Sequence, residues 1–449
     1  MADTDTFERI FIIEVALILN RHTFLLLHRW LGLLLILPVL LLSLTGGLLV
    51  YKQELDQWLN ADLMLIEQYD LYTQPLSVGQ LQKRIQTAYP QARISWFDLS
   101  FYKESGYQQV RKSGVQPAAV FWIAGMRNDV GHYHAPVHNQ IFVNPYSGEV
   151  LGGRKWGVFS VEQPLLNLMP LIYKLHYSVL AGQEGRVILG WLTLAWLLMI
   201  PVGMYLSWPH HSALRYSNKS KKQWRQDLLH WLSFWKYRKG KSRFQNDFFN
   251  HRWLGLVFTP LVVVFLLSGL SYNLKPVYYG IFDPLNQRQL SHKAIETSSL
   301  GQVQPMSLEL AVATGQHLTE MWAKEQGFER LQPVGLSHSA FKGTYLYRSY
   351  SSLDYSDESA KTSVWFDAHS GELLARFQAT GASKVDVMTA GFEAVHKSEL
   401  GWWSRMLSLL LMVASVWLAV TALRLWLFKY RARRKGVRKK RSVAKSAKN

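Results

Sequence analysis

His28-Arg29-Trp30-Leu31-Gly32-Leu33 opens one long apolar run of this chain, and His251-Arg252-Trp253-Leu254-Gly255-Leu256 opens another 223 residues later. An ionisable side chain at the mouth of a membrane span is costly to place and marks a functional site by default. The same six residues at the head of two apolar runs predict a chain built as two copies of one unit. Four such runs occur, about Phe24 to Val50, Val187 to Trp208, Trp253 to Leu274 and Trp402 to Phe428. Each has the roughly 20 residues a helix needs to cross about 30 Å of hydrocarbon. The expected class is an integral membrane α-helical protein with four spans in two pseudo-symmetric halves.

Charge sets the expected orientation, because Lys and Arg flanking a span resist translocation and collect on the cytoplasmic side. The loop from Pro209 to Phe248 carries ten Lys/Arg against Asp227 and Asp247, and the tail from Lys429 to Asn449 carries eleven and no acid. Together they account for the whole formal net charge of +19. Both termini and the middle loop are therefore assigned to the cytoplasm. The basic tail reads as a topology signal with some attraction to anionic lipid, ahead of nucleic-acid binding. The stretch Phe7 to Leu19, interrupted by Glu8 and Glu14, lacks the basic start and small-residue cleavage site of a signal peptide. It is expected to be an uncleaved interfacial or cytoplasmic helix.

The expected organisation is an N-terminal segment (1–23), a first span (24–51), a domain outside the cytoplasm (52–160), and an interfacial helix with the second span (161–208). A basic loop (209–248), a third span (249–274), a second outside domain (275–390), an interfacial segment with the fourth span (391–428) and a basic tail (429–449) follow. The two outside segments share a plan. Ser77 to Tyr89 and Ser307 to Gln326 have helical apolar spacing and are each followed by strand-like segments. Both close on a hairpin signal, Asn144-Pro145-Tyr146-Ser147-Gly148-Glu149 and Asp367-Ala368-His369-Ser370-Gly371-Glu372. Asn or Asp opens such a turn and Gly supplies positive φ. Two small α+β domains are expected.

These residues resemble a known family of bacterial inner-membrane proteins with PepSY domains and PepSY-associated transmembrane helices, which includes iron-regulated ferric-siderophore reductases. The resemblance runs from about Leu27 to Leu427. It rests on the two His-Arg-Trp-Leu-Gly-Leu openings, Thr45-Gly46 and Ser268-Gly269 inside spans one and three, the two hairpins, and Leu175-His176-Tyr177-Ser178-Val179-Leu180-Ala181-Gly182. It implies that the outside domains are PepSY-like and periplasmic.

With no Cys in the chain, disulfides, thiolate iron–sulfur clusters and covalently attached c-type haem are excluded. Four histidines stand at expected membrane depth: His28 and His251 at the cytoplasmic mouths of spans one and three, His176 and His396 just before spans two and four. The second pair is 220 residues apart, close to the first spacing. Each pair should face across a pseudo-twofold axis, an arrangement that suits two non-covalent b haems, each with two axial histidines and closed to oxygen. The alternative is histidines hydrogen-bonded between helices. Gly32, Gly46, Gly47, Gly255 and Gly269 would admit a flat macrocycle, or simply pack helix on helix. Arg29, Arg252, Arg186 and Arg405 are candidate propionate partners, or snorkel to headgroups. Trp30, Trp253, Trp208 and Trp426 fit an interfacial belt. His210 and His211 are a reserve pair without a symmetric counterpart, and His22 also lacks one. His132, His134 and His138 could bind a transition metal, although a solvated loop reads better because no carboxylate or thiolate accompanies them.

No hydrolase elbow, Walker loop, dinucleotide fingerprint or zinc-protease motif is present. The expected activity is an oxidoreductase: a di-haem electron conduit from a cytoplasmic or quinol donor to a periplasmic acceptor. The resemblance implies a ferric siderophore as that acceptor. The alternatives are a non-enzymatic PepSY-type scaffold binding a periplasmic peptide or protein, and an iron-chelate permease. The expected partners include the lipid membrane and no nucleic acid.

Overall fold

The computed structural model of the chain describes residues 20–67, 73–90, 92–102, 115–127, 133–208, 221–233, 236–285, 289, 304–356, 359–378, 380 and 383–446. The stretch Phe7 to Leu19 and the histidines His132, His210 and His211 lie outside the described residues. In chain order the principal helices are α1 (Arg21–Leu49), α2 (Lys52–Leu59), α3 (Val78–Ala88), α4 (Leu168–Ser178), α5 (Gly182–Ser207), α6 (Lys221–Leu232), α7 (Arg243–Val257), α8 (Thr259–Asn273), α9 (Lys275–Phe282), α10 (Leu308–Gln326), α11 (Lys384–His396) and α12 (Trp402–Ser446). The strands are β1 (Leu65–Glu67), β2 (Ala92–Asp98), β3 (Val115–Pro117), β4 (Ala119–Arg127), β5 (Tyr133–His134), β6 (Gln140–Val143), β7 (Val150–Arg154), β8 (Arg330–Ser339), β9 (Thr344–Ser351), β10 (Ser363–Asp367) and β11 (Leu373–Phe377). They divide into a helical unit, residues 1–48, 176–278 and 406–449, and a sheet unit, residues 49–175 and 279–405.

Among the described residues three helices are long and apolar enough to cross a membrane, α1, α5 and the Trp402–Lys435 part of α12. A fourth span exists if the bent pair α7 and α8 is counted as one. Their apolar side chains turn outward: Leu37 is 74% exposed, Leu198 61% and Val413 60%. Such a surface is stable in hydrocarbon, where helices satisfy every backbone group internally. Contact between helices falls on small residues. A Cβ on Gly47 would collide with Met412 of α12, and one on Gly190 with Leu274, so backbones approach where side chains could not.

The third span departs from the straight helix expected over 249–274. Two helices meet at Phe258 with a 61° bend. Pro260 lacks the N–H that would continue the ladder, and its ring crowds the preceding turn. Proline alone does not decide the matter, since Pro38 and Pro201 sit inside continuous helices. At the bend the Thr259 hydroxyl also takes the Gly255 carbonyl, and Phe258 ends one helix and begins the next. The ladder is interrupted from both sides.

In the sheet unit both hairpin signals form. Asn144 Oδ1 accepts from the N–H of Tyr146 (3.0 Å) and Ser147 (3.2 Å), and Gly148 has φ +74°. Asp367 Oδ1 does the same for His369 (2.8 Å) and Ser370 (2.7 Å), and Gly371 has φ +76°. The helices are capped as their sequences suggest, α3 by the Ser77/Gln80 capping box and α10 by Ser307 with Gly327 in the left-handed region at its end.

The segments expected as two small α+β domains, 52–160 and 275–390, share one sheet. All strands except the β1/β3 pair join one nine-stranded sheet, in the order β11-β10-β9-β8-β2-β4-β6-β7, with β5 on β4. The seam is the antiparallel pairing of β2 with β8, where Trp96, Phe97 and Asp98 face Ser337, Leu336 and Gly335. Each half alone would leave its first strand as an open edge, and pairing the two removes both. One core serves both halves, with Leu81, Ile85, Phe97 and Phe121 packed in the same cluster as Ala311, Trp322, Leu336 and Phe366. Glu309 of α10 also accepts from Ser77 Oγ (3.2 Å) and Gly79 N (3.0 Å) at the start of α3.

A buried ion pair ties α2 to the edge of the sheet. Arg154, 2% exposed, grips Asp56 through two bonds of 2.9 and 2.7 Å, and also donates to Gln140 Oε1 (2.7 Å) and the Leu166 carbonyl (2.9 Å). Removing one member of such a pair leaves an uncompensated charge. Asp56→Ala is expected to cost about 3–5 kcal/mol, read as a lowered thermal unfolding midpoint of the purified protein. Joint replacement by Asp56→Leu and Arg154→Met should recover most of it. An unchanged midpoint in the single variant would show that the pair does not hold α2 to the sheet.

Candidate functional site

Helices α1, α4, α5, α7 and α12 bring polar side chains together inside the helical unit. His28 lies two turns into α1 and His251 near the middle of α7, and their rings meet edge-on with centroids 6.2 Å apart and planes at 83°. Two imidazoles bound through one nitrogen each to a shared metal ion, at about 2.0–2.1 Å, would have ring centres roughly 6 Å apart. Rotation about the common axis is free in such a pair, so the steep interplanar angle is compatible with it. Gly203 of α5 lies against the first ring; a Cβ there would come within 3.2 Å of His28 Cε1. Nδ1 of His28 is buried without a hydrogen-bond partner.

His251 is held by α12. Its Nδ1 is 3.4 Å from Thr421 Oγ1, and the ring also bonds the Leu418 carbonyl. Thr421 donates its only hydroxyl proton to that same Leu418 carbonyl at 2.9 Å, so its oxygen is an acceptor toward the imidazole. His176, near the end of α4, repeats the arrangement on α1. Its Nδ1 is 2.9 Å from Thr45 Oγ1 and the ring bonds the Leu42 carbonyl, while Thr45 donates to Leu41 at 2.7 Å. In both places Nδ1 lies beside a threonine oxygen whose own proton is given to its helix. A proton fixed on Nδ1 leaves Nε2 with its lone pair, the form in which histidine binds a metal. Gly46 gives His176 room, since a Cβ there would lie 3.1 Å from its Cε1.

His396 belongs to the sheet unit, where it is the last residue of α11 and half-buried. Backbone in the left-handed region follows both outer histidines: Val179 (φ 46°) and Leu180 (φ 63°) after His176, and Ser398 (φ 60°) after His396. A β-branched residue at positive φ is a steric outlier, and strain of this kind persists where surrounding structure enforces it.

The arginines divide. Nε of Arg29, of Arg252 and of Arg186 is buried without a partner, the first two next in sequence to His28 and His251. Arg186 also donates through its terminal nitrogen to the Tyr272 carbonyl at 2.8 Å, and Arg405 pairs with Glu54 at 2.5 Å and lies over Tyr51. Asp247, one turn before His251 and 3% exposed, pairs with Arg424 at 3.1 Å.

Of the other histidines singled out in the sequence, His22, His134 and His138 lie among the described residues. His22 is exposed on α1. His134 pairs Met126 in β5. His138 Nδ1 lies 3.0 Å from the Tyr89 hydroxyl, and burial pushes its pKa down. Among the described residues no group of three or more His, Asp or Glu is placed to hold a metal ion.

The family described as PepSY-associated TM region matches residues 25–429. The chain belongs to that family. Comparison with curated proteins gives no match. Its membership and its helices make it a multi-pass membrane protein carrying sheet-containing α+β structure.

Thr421 and Gly203 are partners that the sequence reading missed. A lone threonine in an apolar span was the available signal, yet Thr193 carries the same signal and bonds its own helix, and Thr259 bonds the end of the helix before it. Thr45→Val keeps the shape and removes the acceptor for His176. It is expected to cost about 1–3 kcal/mol, read as a lowered unfolding midpoint in detergent. Thr421→Val, with its longer contact, should cost less. Equal midpoints for both variants and the parent would show that these hydroxyls do not hold the imidazoles.

Proposed function

We propose that this chain is an oxidoreductase of the bacterial inner membrane, with both termini cytoplasmic, that carries electrons across the bilayer to a periplasmic ferric siderophore. The observation that carries the reading is the inner pair, two imidazoles from different helices at metal-sharing distance inside an apolar helical unit. His28 and His251 would hold one b haem, and His176 and His396 the other. A haem held there by imidazoles would supply one-electron transfer.

The chain's own groups suit that task. Nδ1–H of His176 and of His251 is taken by threonine and carbonyl oxygens, which orients each ring and leaves Nε2 for iron. The unpartnered Nε atoms of Arg29 and Arg252 are available to carboxylates, which guanidinium groups bind well. Gly203 and Gly46 keep the helix surface flat beside two of the rings. The repeated His-Arg-Trp-Leu-Gly-Leu openings give the two halves of the spanning region equivalent roles.

The substrate reaction is a one-electron reduction. A quinol or cytoplasmic reductant loses one electron for each Fe(III) converted to Fe(II), and the chelator's hard oxygen donors hold Fe(II) more weakly. Outward movement of negative charge runs with a potential negative inside, worth about 2.3 kcal/mol per charge per 100 mV. The basic loop and tail anchor the donor side to the cytoplasm.

Protein purified from membranes should be red, with a pyridine haemochrome assay giving two b haems per chain. His28→Ala or His251→Ala should remove one haem, and His176→Ala or His396→Ala the other. Anaerobically reduced protein should reoxidise on addition of a ferric siderophore. A colourless preparation from cells supplied with iron and haem precursor would overturn the reading and favour a PepSY-type scaffold for a periplasmic partner.

A further inference from the structure

Between β7 and α4 the chain forms a closed loop whose polarity is inverted. At its neck the Gly157 N–H donates to Asn167 Oδ1 at 3.1 Å, Lys174 donates to the Gly157 carbonyl at 3.0 Å, and buried Arg154 donates to the Leu166 carbonyl. Asn167 is 3% exposed. The tip carries the reverse chemistry: Val158, Phe159 and Leu165 are exposed, and Val161 is 84% exposed. Helix α2, bound to the same neck through Asp56 and Arg154, buries Asp56 and leaves Trp58 76% exposed. In water a loop tied this firmly would turn its apolar side chains inward. Polar groups inside and apolar groups outside is the order expected where the surroundings are lipid.

Chain continuity places this surface at a membrane boundary. Lys52 stands three residues beyond the end of α1, and its Nζ lies 4.3 Å from the centroid of Tyr173. Tyr173 contacts Trp156 at the loop's neck, centroids 5.9 Å apart, and Lys174 lies over the same Trp156. Helix α4, which carries Tyr173 and Lys174, is separated from α5 by Val179, Leu180 and Ala181 alone. Trp, Tyr and Lys collect at headgroup level, with apolar residues toward the acyl chains. Glu162 and Gln163, also exposed on the tip, limit the depth to the interface, about 5–10 Å into the headgroup and acyl boundary.

We infer that the 158–166 loop is a lipid anchor of the sheet unit that dips into the adjoining leaflet. It is a contact with acyl chains in addition to the spans, and it does not depend on the haem reading. Its consequence is that the sheet's β7 edge is held at the bilayer surface.

The absence of Cys makes the test clean. Spin labels are attached singly to Phe159→Cys, Val161→Cys and, as an aqueous reference, Lys324→Cys on the exposed face of α10. The full-length variants are reconstituted in phosphatidylcholine vesicles, and power saturation is measured with oxygen and with a water-soluble nickel chelate. The expected result is high oxygen accessibility at 159 and 161, with nickel accessibility several-fold below that at 324. Nickel accessibility equal to the reference would place the loop in water and overturn the inference. Exclusion of both reagents would overturn it as well, since protein would then cover the tip.

Discussion

Hydrocarbon offers no water to a buried donor or acceptor, so every imidazole and hydroxyl inside the spans must find its partner in the protein. Thr45 and Thr421 show how the chain meets that requirement. Each returns its own proton to its helix and presents the oxygen to a histidine from another. The result is a filled hydrogen bond at each ring. The requirement is left open at Nδ1 of His28 and at Nε of Arg29, Arg186 and Arg252.

The sheet unit follows from a different constraint. A four-stranded meander covered by one helix leaves an exposed first strand, and such edges invite pairing. The two meanders answer this by pairing with each other through β2 and β8, under helices α3 and α10 that share one apolar core. The ion pair of Asp56 with Arg154 then fastens the helix that leaves the first span to the far edge of that sheet. Its burial is tolerable because Gln140 and the Leu166 carbonyl take up further guanidinium protons.

Much of this was legible in the residues. Apolar length and basic flanks mark the candidate spans, and the paired His-Arg-Trp-Leu-Gly-Leu openings mark the two histidines that meet inside the helical unit. The Asn144 and Asp367 turns and the Ser77 and Ser307 caps form where their side-chain chemistry says they should. These are short-range effects, decided within a few residues. The kink at Phe258 was less legible, because Pro260 resembles Pro38 and Pro201 until the Thr259 hydroxyl is seen on the Gly255 carbonyl.

What the chain determined by itself is its membrane class, its local turns and caps, and the residue types able to carry chemistry, since each depends on neighbours along the sequence. Tertiary structure alone decided which groups meet: Thr421 with His251, Gly203 with His28, β2 with β8, and Asp56 with Arg154. Those pairs are separated by up to 242 residues, as for Ser337 and Ser95 across the seam. No local pattern specifies them, because they arise only when helices and strands compete for the same buried surface and each polar group takes the partner that burial leaves within reach.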